Sequence, residues 1–251
     1  LVASICLFLW MKWKKEEIFP QINLFLHGMV VGLLFGGEFA FIYVALRHTT
    51  ASSTYILLYT APFFASIGAH LWLQNDRLSL NKAIGLVLAF LGVAILFSKG
   101  ASSVSGLNLK GDLLALCAGI LWGMTSVYVK KFLAGKANAT HVLFYQLFFS
   151  APFLFLMSLI LESNLIIGFS KLTFYSLVYQ SIIVAFLSYL SWFKLIDQYP
   201  VSLLHAFSFF TPVFGVIISG ILMLKEPIGL PTLSALFMVS IGTFVSNMKR
   251  G

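Results

Sequence analysis

Acidic residues are scarce in this chain. Eight occur in 251 positions, and only Glu38, in "LLFGGEFAF", falls inside an apolar run. Glu16, Glu17, Asp76, Asp112, Glu162, Asp197 and Glu226 all sit at the ends of such runs or between them. Charge of either sign amounts to 10%, where a soluble domain carries about 25%. The hydrophobic share is 60% and the mean hydropathy +0.97, more apolar surface than a soluble fold of this length could enclose. Cysteine is nearly absent: Cys6 and Cys117 both lie in apolar runs, with neither metal-ligand spacing nor a disulfide framework. HExxH, GxSxG, a carboxylate pair within one run and a Cys/His cluster are all missing, so the sequence offers no enzyme chemistry and calls for no cofactor or metal.

What is present is a series of long apolar runs. A bilayer-spanning helix needs roughly 20 mostly apolar residues. Runs at 24–46, 51–73, 83–98, 112–132, 140–161, 172–194, 201–223 and 231–248 read as full spans. Residues 1–11, "LVASICLFLWM", are too short to cross and read as the tail of another span. A signal peptide would need a basic region ahead of this run, whereas "KWKKEE" follows it. The chain begins with Leu rather than Met, and the half-span suggests an upstream piece that is missing here. The expectation is an all-α, multi-pass membrane protein whose surroundings are the lipid bilayer.

The net charge of +8 does not call for a nucleic-acid partner. Lys and Arg accumulate on the cytoplasmic side of membrane proteins. Assigned to alternate connections, Lys12, Lys14, Lys15, Arg77, Lys82, Lys130, Lys131, Lys136, Lys194, Lys249 and Arg250 form one set of 11. Arg47, Lys99, Lys110, Lys171 and Lys225 form the other, of 5. The larger set, with the C-terminus, is expected in the cytoplasm.

Two runs carry a central proline, "TASSTYILLYTAPFF" with Pro62 and "VSLLHAFSFFTPVFG" with Pro212, 150 residues apart. The same offset carries Phe64 onto Phe214, Asp76 onto Glu226, Gly92 onto Gly242 and residues 1–11 onto 151–161. The run at 112–132 finds no partner, because that partner would precede residue 1. The simplest whole protein has two repeats of five helices, ten in all, with about 40 residues lost at the start. Five is odd, so the second repeat enters the membrane from the opposite side. Such inverted repeats are a plan of secondary transporters, with the substrate near the midplane. Proline removes a backbone donor and so frees the carbonyls of Leu58 and Ser208 at mid-membrane depth. Free groups there are tolerated where neighbouring helices or a cavity satisfy them. The paired prolines therefore mark either a central pathway or helix packing alone.

At these residues the sequence resembles the drug/metabolite transporter superfamily, in the branch built from two EamA domains. The resemblance is carried by "YVALRHTTASSTYILLYTAPFFASI", by the acidic turn "NDRLSLNKAIGLVLAFLGVAILF" and by the second copy "FSFFTPVFGVIISGILMLKEPIGLPTLSALFMVSIGTF". "GDLLALCAGILWGMTSVYVKK", with Trp122, resembles the opening helix of the second domain. The resemblance implies a first repeat at 1–98, lacking its first helix and most of its second, a linker at 99–111 and a second repeat at 112–248. It implies about eight and a half helices of a 5+5 inverted-repeat bundle. It further implies an inner-membrane transporter, expected to export small metabolites such as amino acids without an ATP-binding domain. Asp76 stands where the family often has Glu. A lipid or lipid-precursor flippase fits the same features, whereas a channel would want rings of charge. A monomer is expected.

A carboxylate at mid-membrane costs at least ~2.5–3.5 kcal/mol on insertion scales, so Glu38 should face protein or water. It reads as a proton-coupling or cation-binding group, with protons as the coupling ion, or as a protonated structural carboxyl. Tyr55, Tyr59, Pro62 and Ser66 recur at helical spacing, and the offset carries them onto His205, Phe209, Pro212 and Val216. Aromatic rings with hydroxyl and imidazole tips suit an amphipathic small-molecule substrate; ordinary aromatic packing is the alternative. His205 lies about one turn inside its run and is a group that can titrate near neutral pH. Ser188 and Tyr189 each share a helical face with Trp192. Trp122 and Tyr128 read as interfacial anchors. The helices at 24–46, 51–73, 172–194 and 201–223 are expected to line a central cavity, with Tyr59 and Phe209 near its middle. Gly28, Gly32 and Gly36, and Gly119 with Gly123, are spaced for close helix packing.

Overall fold

The computed structural model describes residues 1–18, 22–101, 109–162, 168–219 and 230–248. Every regular element among them is helical: α1 (Val2–Trp13), α2 (Ile22–Leu46), α3 (Ala51–Leu58), α4 (Ala61–Trp72), α5 (Leu80–Ala101), α6 (Leu109–Phe132) and α7 (Ala139–Leu161) come first. Then follow α8 (Lys171–Tyr179), the π-helical stretch π1 (Gln180–Ser188), α9 (Tyr189–Gln198), α10 (Val201–Ser208), α11 (Phe210–Ser219) and α12 (Leu230–Asn247).

The element boundaries follow local chemistry. Thr50, Asn138 and Ser170 each accept a backbone N–H from the first turn of α3, α7 and α8, as short polar N-caps do. Among the described residues, six helical stretches are long and apolar enough to cross a bilayer: Ile22–Leu46, Leu80–Phe97, Leu109–Phe132, Ala139–Leu161, Lys171–Gln198 and Val201–Ile218. The run at 51–73 is two helices rather than one, because the chain turns at Tyr59 and Thr60, just before Pro62. The run at 231–248 is a shorter apolar helix, and the end of the run at 201–223 lies outside the described residues.

Two compact units form, and neither follows the halves of the sequence. The first takes Leu1–Ala40 and Tyr128–Tyr199, the second Phe41–Val127 and Pro200–Gly251. In the first unit the glycine ladder of α2 meets a matching aromatic ladder on α7. A Cβ at Gly28 would collide with Tyr145, at Gly32 with Phe149 and at Gly36 with Phe153. Small residues let helices approach where lipid supplies no hydrophobic drive between them. At the end of this unit Lys130 Nζ donates to the last carbonyls of α9, Ile196 (2.6 Å) and Asp197 (3.0 Å). Asp197 in turn accepts the amide of Gly135 at 2.7 Å. That amide belongs to a turn with φ of 71°, which glycine adopts without strain.

The second unit is organised on α5 and α12. They run antiparallel with backbone against backbone: a Cβ at Gly85 would collide with Gly242 and Ser246, and one at Gly92 would lie 3.0 Å from the carbonyl of Ala235. Gly242 likewise faces Gly85 and Ala89. These contacts exchange under the 150-residue offset, since 85 with 242 becomes 235 with 92, and 89 with 242 becomes 239 with 92. The buried cluster at this seam holds the offset pairs Tyr59 with Phe209 and Ala89 with Val239, and the partly buried Phe63 and Leu236 pack against it beside their counterparts Val213 and Leu86.

Replacing Gly85 by leucine forces α5 and α12 apart by more than one side chain can absorb, at a cost above the ~1–3 kcal/mol of ordinary overpacking. Thermal melting in detergent is expected to drop markedly for Gly85→Leu. It should barely change for Gly168→Leu, since no described atom lies within 4 Å of a Cβ placed at Gly168. Equal melting temperatures would show that the seam is not a close contact.

Candidate functional site

The ten residues singled out from the sequence fall into two groups, one in each unit. Glu38, Ser188, Tyr189 and Trp192 belong to the first; Tyr55, Tyr59, Pro62, His205, Phe209 and Pro212 belong to the second.

In the second unit the two proline-bearing helices are both interrupted. α3 ends at Leu58, and Pro62 sits in the first turn of α4, where a missing N–H is harmless. The Leu57 carbonyl left at the break accepts the Thr60 amide at 3.1 Å and the Thr60 hydroxyl at 2.6 Å. Gly119 of α6 makes room for this turn: a Cβ there would lie 2.9 Å from Thr60 Oγ1 and 3.0 Å from the carbonyls of Leu57 and Leu58. Gly123 does the same for the next turn, facing the Ala61 carbonyl and the Ala65 amide. In the second copy α10 ends at Ser208, whose hydroxyl donates back to the His205 carbonyl at 2.7 Å, and Phe209 carries the break. Neighbouring side chains and helices thus meet part of the backbone demand that a proline creates in a membrane.

Both breaks aim an aromatic ring inward. Tyr59 and Phe209, the offset pair, are 7% and 0% exposed, with ring centroids 6.3 Å apart. Trp122 stands edge-on to Tyr59 at 5.8 Å and lies 5.4 Å from the imidazole of His205, which is fully buried. The Tyr59 phenol pairs with the Thr211 side chain. The result is a four-ring cluster of Tyr59, Trp122, His205 and Phe209, built at the two helix breaks. Pro62 and Ser66 are buried beside it on α4, and Pro212 is half-buried on α11.

Tyr55 does not share this face. The turn at Tyr59 and Thr60 breaks the helical register, and Tyr55 is exposed and stacked on Phe97 at 6.0 Å. Trp122 is the residue that sequence reasoning misplaced. Its place near the middle of a 24-residue helix was the available signal, since an interfacial anchor belongs at an end.

In the first unit Glu38 is buried at 7% exposure in α2. No hydrogen bond or ion pair reaches its carboxyl group among the described residues. Ser188, its partner by the offset, ends π1 and is exposed. Tyr189 meets Phe35 edge-on at 5.7 Å, and Trp192 is half-buried one turn later. Single π-type turns interrupt α-helices frequently at functional sites, and these three residues stand at the end of a nine-residue one.

Asp76, read from the sequence only as an acidic turn, is buried at 4% exposure in the second unit. It accepts the Ser202 amide at 2.9 Å, the Ser202 hydroxyl, and Lys82 Nζ at 2.7 Å. Pro200, at the N-cap of α10, offers no side-chain cap, so Asp76 caps that helix from another segment. Its offset partner Glu226 lies outside the described residues.

The ring cluster implies a contrast in stability. Trp122→Ala removes a half-buried ring packed on Tyr59 and His205 and is expected to cost about 2–3 kcal/mol, below the loss for a fully buried aromatic. Tyr55→Ala, at an exposed ring, is expected to cost less than about 1 kcal/mol. Denaturation in detergent measures both, and similar losses would refute the packing described.

The family described as "EamA-like transporter family" matches residues 1–98 and 109–248. The "Uncharacterized transporter YoaV" of Bacillus subtilis is 23% identical over 246 residues, which cover 98% of this chain and 83% of that protein. A protein of Salmonella typhimurium named "Probable amino-acid metabolite efflux pump" is 25% identical over 214 residues, covering 81% and 70% of the two chains. A protein of known crystal structure superposes with a TM-score of 0.83 at 19% identity, over 98% of this chain and 83% of its own, a likeness that shows the fold. With both halves of its length matched, this multi-pass membrane chain belongs to the EamA-like transporter family.

Proposed function

We propose that the protein is a secondary-active exporter of small metabolites such as amino acids, resident in the cell inner membrane and working by alternating access. The observation that carries this reading is the family match over both halves of the chain. The relative named as an amino-acid metabolite efflux pump supports the substrate class. The 11-to-5 division of basic residues supports a cytoplasmic C-terminus.

The two groups of candidate residues take different parts in this reading. The cluster of Tyr59, Trp122, His205 and Phe209 offers ring faces together with a phenol, an indole N–H and an imidazole. Those are the groups that hold an amphipathic metabolite by stacking and by a few polar contacts. It stands where both proline-bearing helices are already broken, so the backbone there can change geometry without undoing a continuous helix. Glu38 supplies the coupling group. A carboxyl at this depth needs a partner or a proton, and none of the described residues partners it. A proton taken up on one side and released on the other then links transport to the pH gradient.

Uptake of radiolabelled amino acids into inverted vesicles under an imposed pH gradient tests the reading. Glu38→Gln keeps the size and most of the hydrogen bonding of the side chain, and is expected to reduce gradient-driven accumulation to background at matched expression. Uptake equal to wild type would remove Glu38 from the coupling step. Topology has its own check: a C-terminal reporter is expected to be active in its cytoplasmic form, and activity confined to the periplasm would overturn the orientation.

A further inference from the structure

The end of α1 stands outside both groups of candidate residues. Its last turn and the residues after it read "WMKWKKEE", residues 10–17. The segment lies at the end of the first unit where α7 begins. There His141 Nε2 donates to the Glu17 carbonyl at 2.8 Å, and the Tyr145 hydroxyl donates to the Ile18 carbonyl at 2.7 Å.

α1 turns a buried stripe of Ala3, Ser4, Leu7 and Met11 toward the protein. Helical spacing sets Trp10, Trp13 and Lys14 on one flank of that stripe and Phe8 with Lys12 on the other. Trp10 is 41% and Trp13 74% exposed, with ring centroids 5.6 Å apart. Lys14 Nζ lies 5.1 Å from the Trp10 ring, and Lys12 Nζ lies 5.9 Å from the Phe8 ring. Lys12, Lys14 and Lys15 are all exposed, and among the described residues none of them is held in an ion pair. Lys15 reverses the chain with φ of 57°, a conformation uncommon outside glycine. Beyond the reversal Glu16 points inward: its Oε2 is buried, 3.8 Å from Nδ1 of His141. Glu17 is exposed. The ammonium groups of Lys12, Lys14 and Lys15 therefore face outward with a single carboxylate among them.

We propose that this end of α1 is a seat for anionic phospholipid in the leaflet it faces. The indoles of Trp10 and Trp13 settle at headgroup level, as amphipathic rings do at a membrane surface. The ammonium groups of Lys12, Lys14 and Lys15 meet the lipid phosphates, whose net charge a zwitterionic headgroup cancels and an anionic one keeps. Along α1 the residues pass from apolar to indole to lysine. A bilayer passes in the same order from acyl chain to interface to headgroup. A soluble anion would meet the lysines alike but would leave the Trp13 ring in water. The seat also has a mechanical consequence. The turn that follows it holds α7 through Glu17 and Ile18 and leads into α2, so a lipid bound there steadies the junction of three helices.

Melting of the full chain in nanodiscs of phosphatidylcholine, with phosphatidylglycerol raised stepwise, tests the seat. Phosphatidylglycerol is expected to raise the melting temperature of the wild type. Lys12→Gln, Lys14→Gln and Lys15→Gln combined should abolish most of that rise, since each lysine near an anionic surface contributes about fivefold in binding. Lys131→Gln, Lys136→Gln and Lys194→Gln combined remove the same charge from exposed positions at the same end of the unit and should leave most of the rise in place. Bromine-labelled lipids read the contact without any change to the lysines. Brominated phosphatidylglycerol should quench tryptophan emission more than brominated phosphatidylcholine does, and the excess should vanish when Trp10→Phe and Trp13→Phe are combined. Equal loss in the two lysine variants would assign the effect to net charge. Equal quenching by the two lipids would leave the tryptophans as anchors without a preference for charge, and no quenching would place protein over them. The same melting shift from inorganic phosphate in phosphatidylcholine alone would make the ligand a free anion. Any one of these results overturns the proposal.

Discussion

The contact of α5 with α12 is the constraint on which the second unit depends. Between helices in lipid there is no hydrophobic gain of the kind that drives soluble cores, so association rests on van der Waals fit and close backbone approach. Gly85, Gly92 and Gly242 provide that approach by having no side chain, and Ala235 is the next smallest choice. The residues around this seam, Leu86, Ala89, Val93 and Val239, are all buried and carry the cluster in which Tyr59 and Phe209 sit. The seam contacts of Gly85, Ala89 and Gly92 with Ala235, Val239 and Gly242 map onto one another under the sequence offset.

Proline has a second use here beyond bending. At both copies the chain breaks just before the proline, and the break turns an aromatic residue, Tyr59 or Phe209, into the packed interior. The break is affordable because hydroxyls stand within reach of stranded carbonyls, Thr60 for Leu57 and Ser208 for His205. α6 completes the arrangement: Gly119 and Gly123 let it lie against the broken backbone, and Trp122, on the same stretch of helix, is thereby delivered between Tyr59 and His205. The polar chemistry of the chain follows a similar economy. Two of its few charged side chains, Asp76 and Lys130, cap helix ends supplied by distant segments.

The membrane-spanning, all-α fold class was legible from composition and run length, and the family from the resemblance of a few motifs in their order. Apolar run lengths located the helices to within a few residues, because a bilayer fixes how long an apolar helix must be. The 150-residue offset set Tyr59 against Phe209 and Gly92 against Gly242 as equivalent positions; the structure brings the first two rings to 6.3 Å and places both glycines in the α5–α12 seam. The glycine ladder of α2 was readable as packing, although its aromatic counterpart on α7 was not. A four-residue glycine period says that something comes close and does not say what.

The rest needed the tertiary structure. Helical periodicity assigned Tyr55 to the face of Tyr59, and the structure removed it, since a two-residue turn resets the register in a way that spacing alone does not reveal. Trp122 read as an anchor and is part of the ring cluster, because which helix faces which is decided by contacts more than 60 residues apart. Asp76 read as a charge in a turn; its bond to Ser202, 126 residues away, makes it a cap. The division into units follows the same logic. Each unit draws on both halves of the chain, since a membrane helix chooses its neighbours by fit and not by order. What the sequence determined by itself was which segments are long apolar helices and where proline disturbs them, because a bilayer fixes helix length and proline lacks a backbone donor. What only the tertiary structure decided was which side chains meet, because contacts such as Trp122 with His205 and Asp76 with Ser202 join segments far apart in the chain.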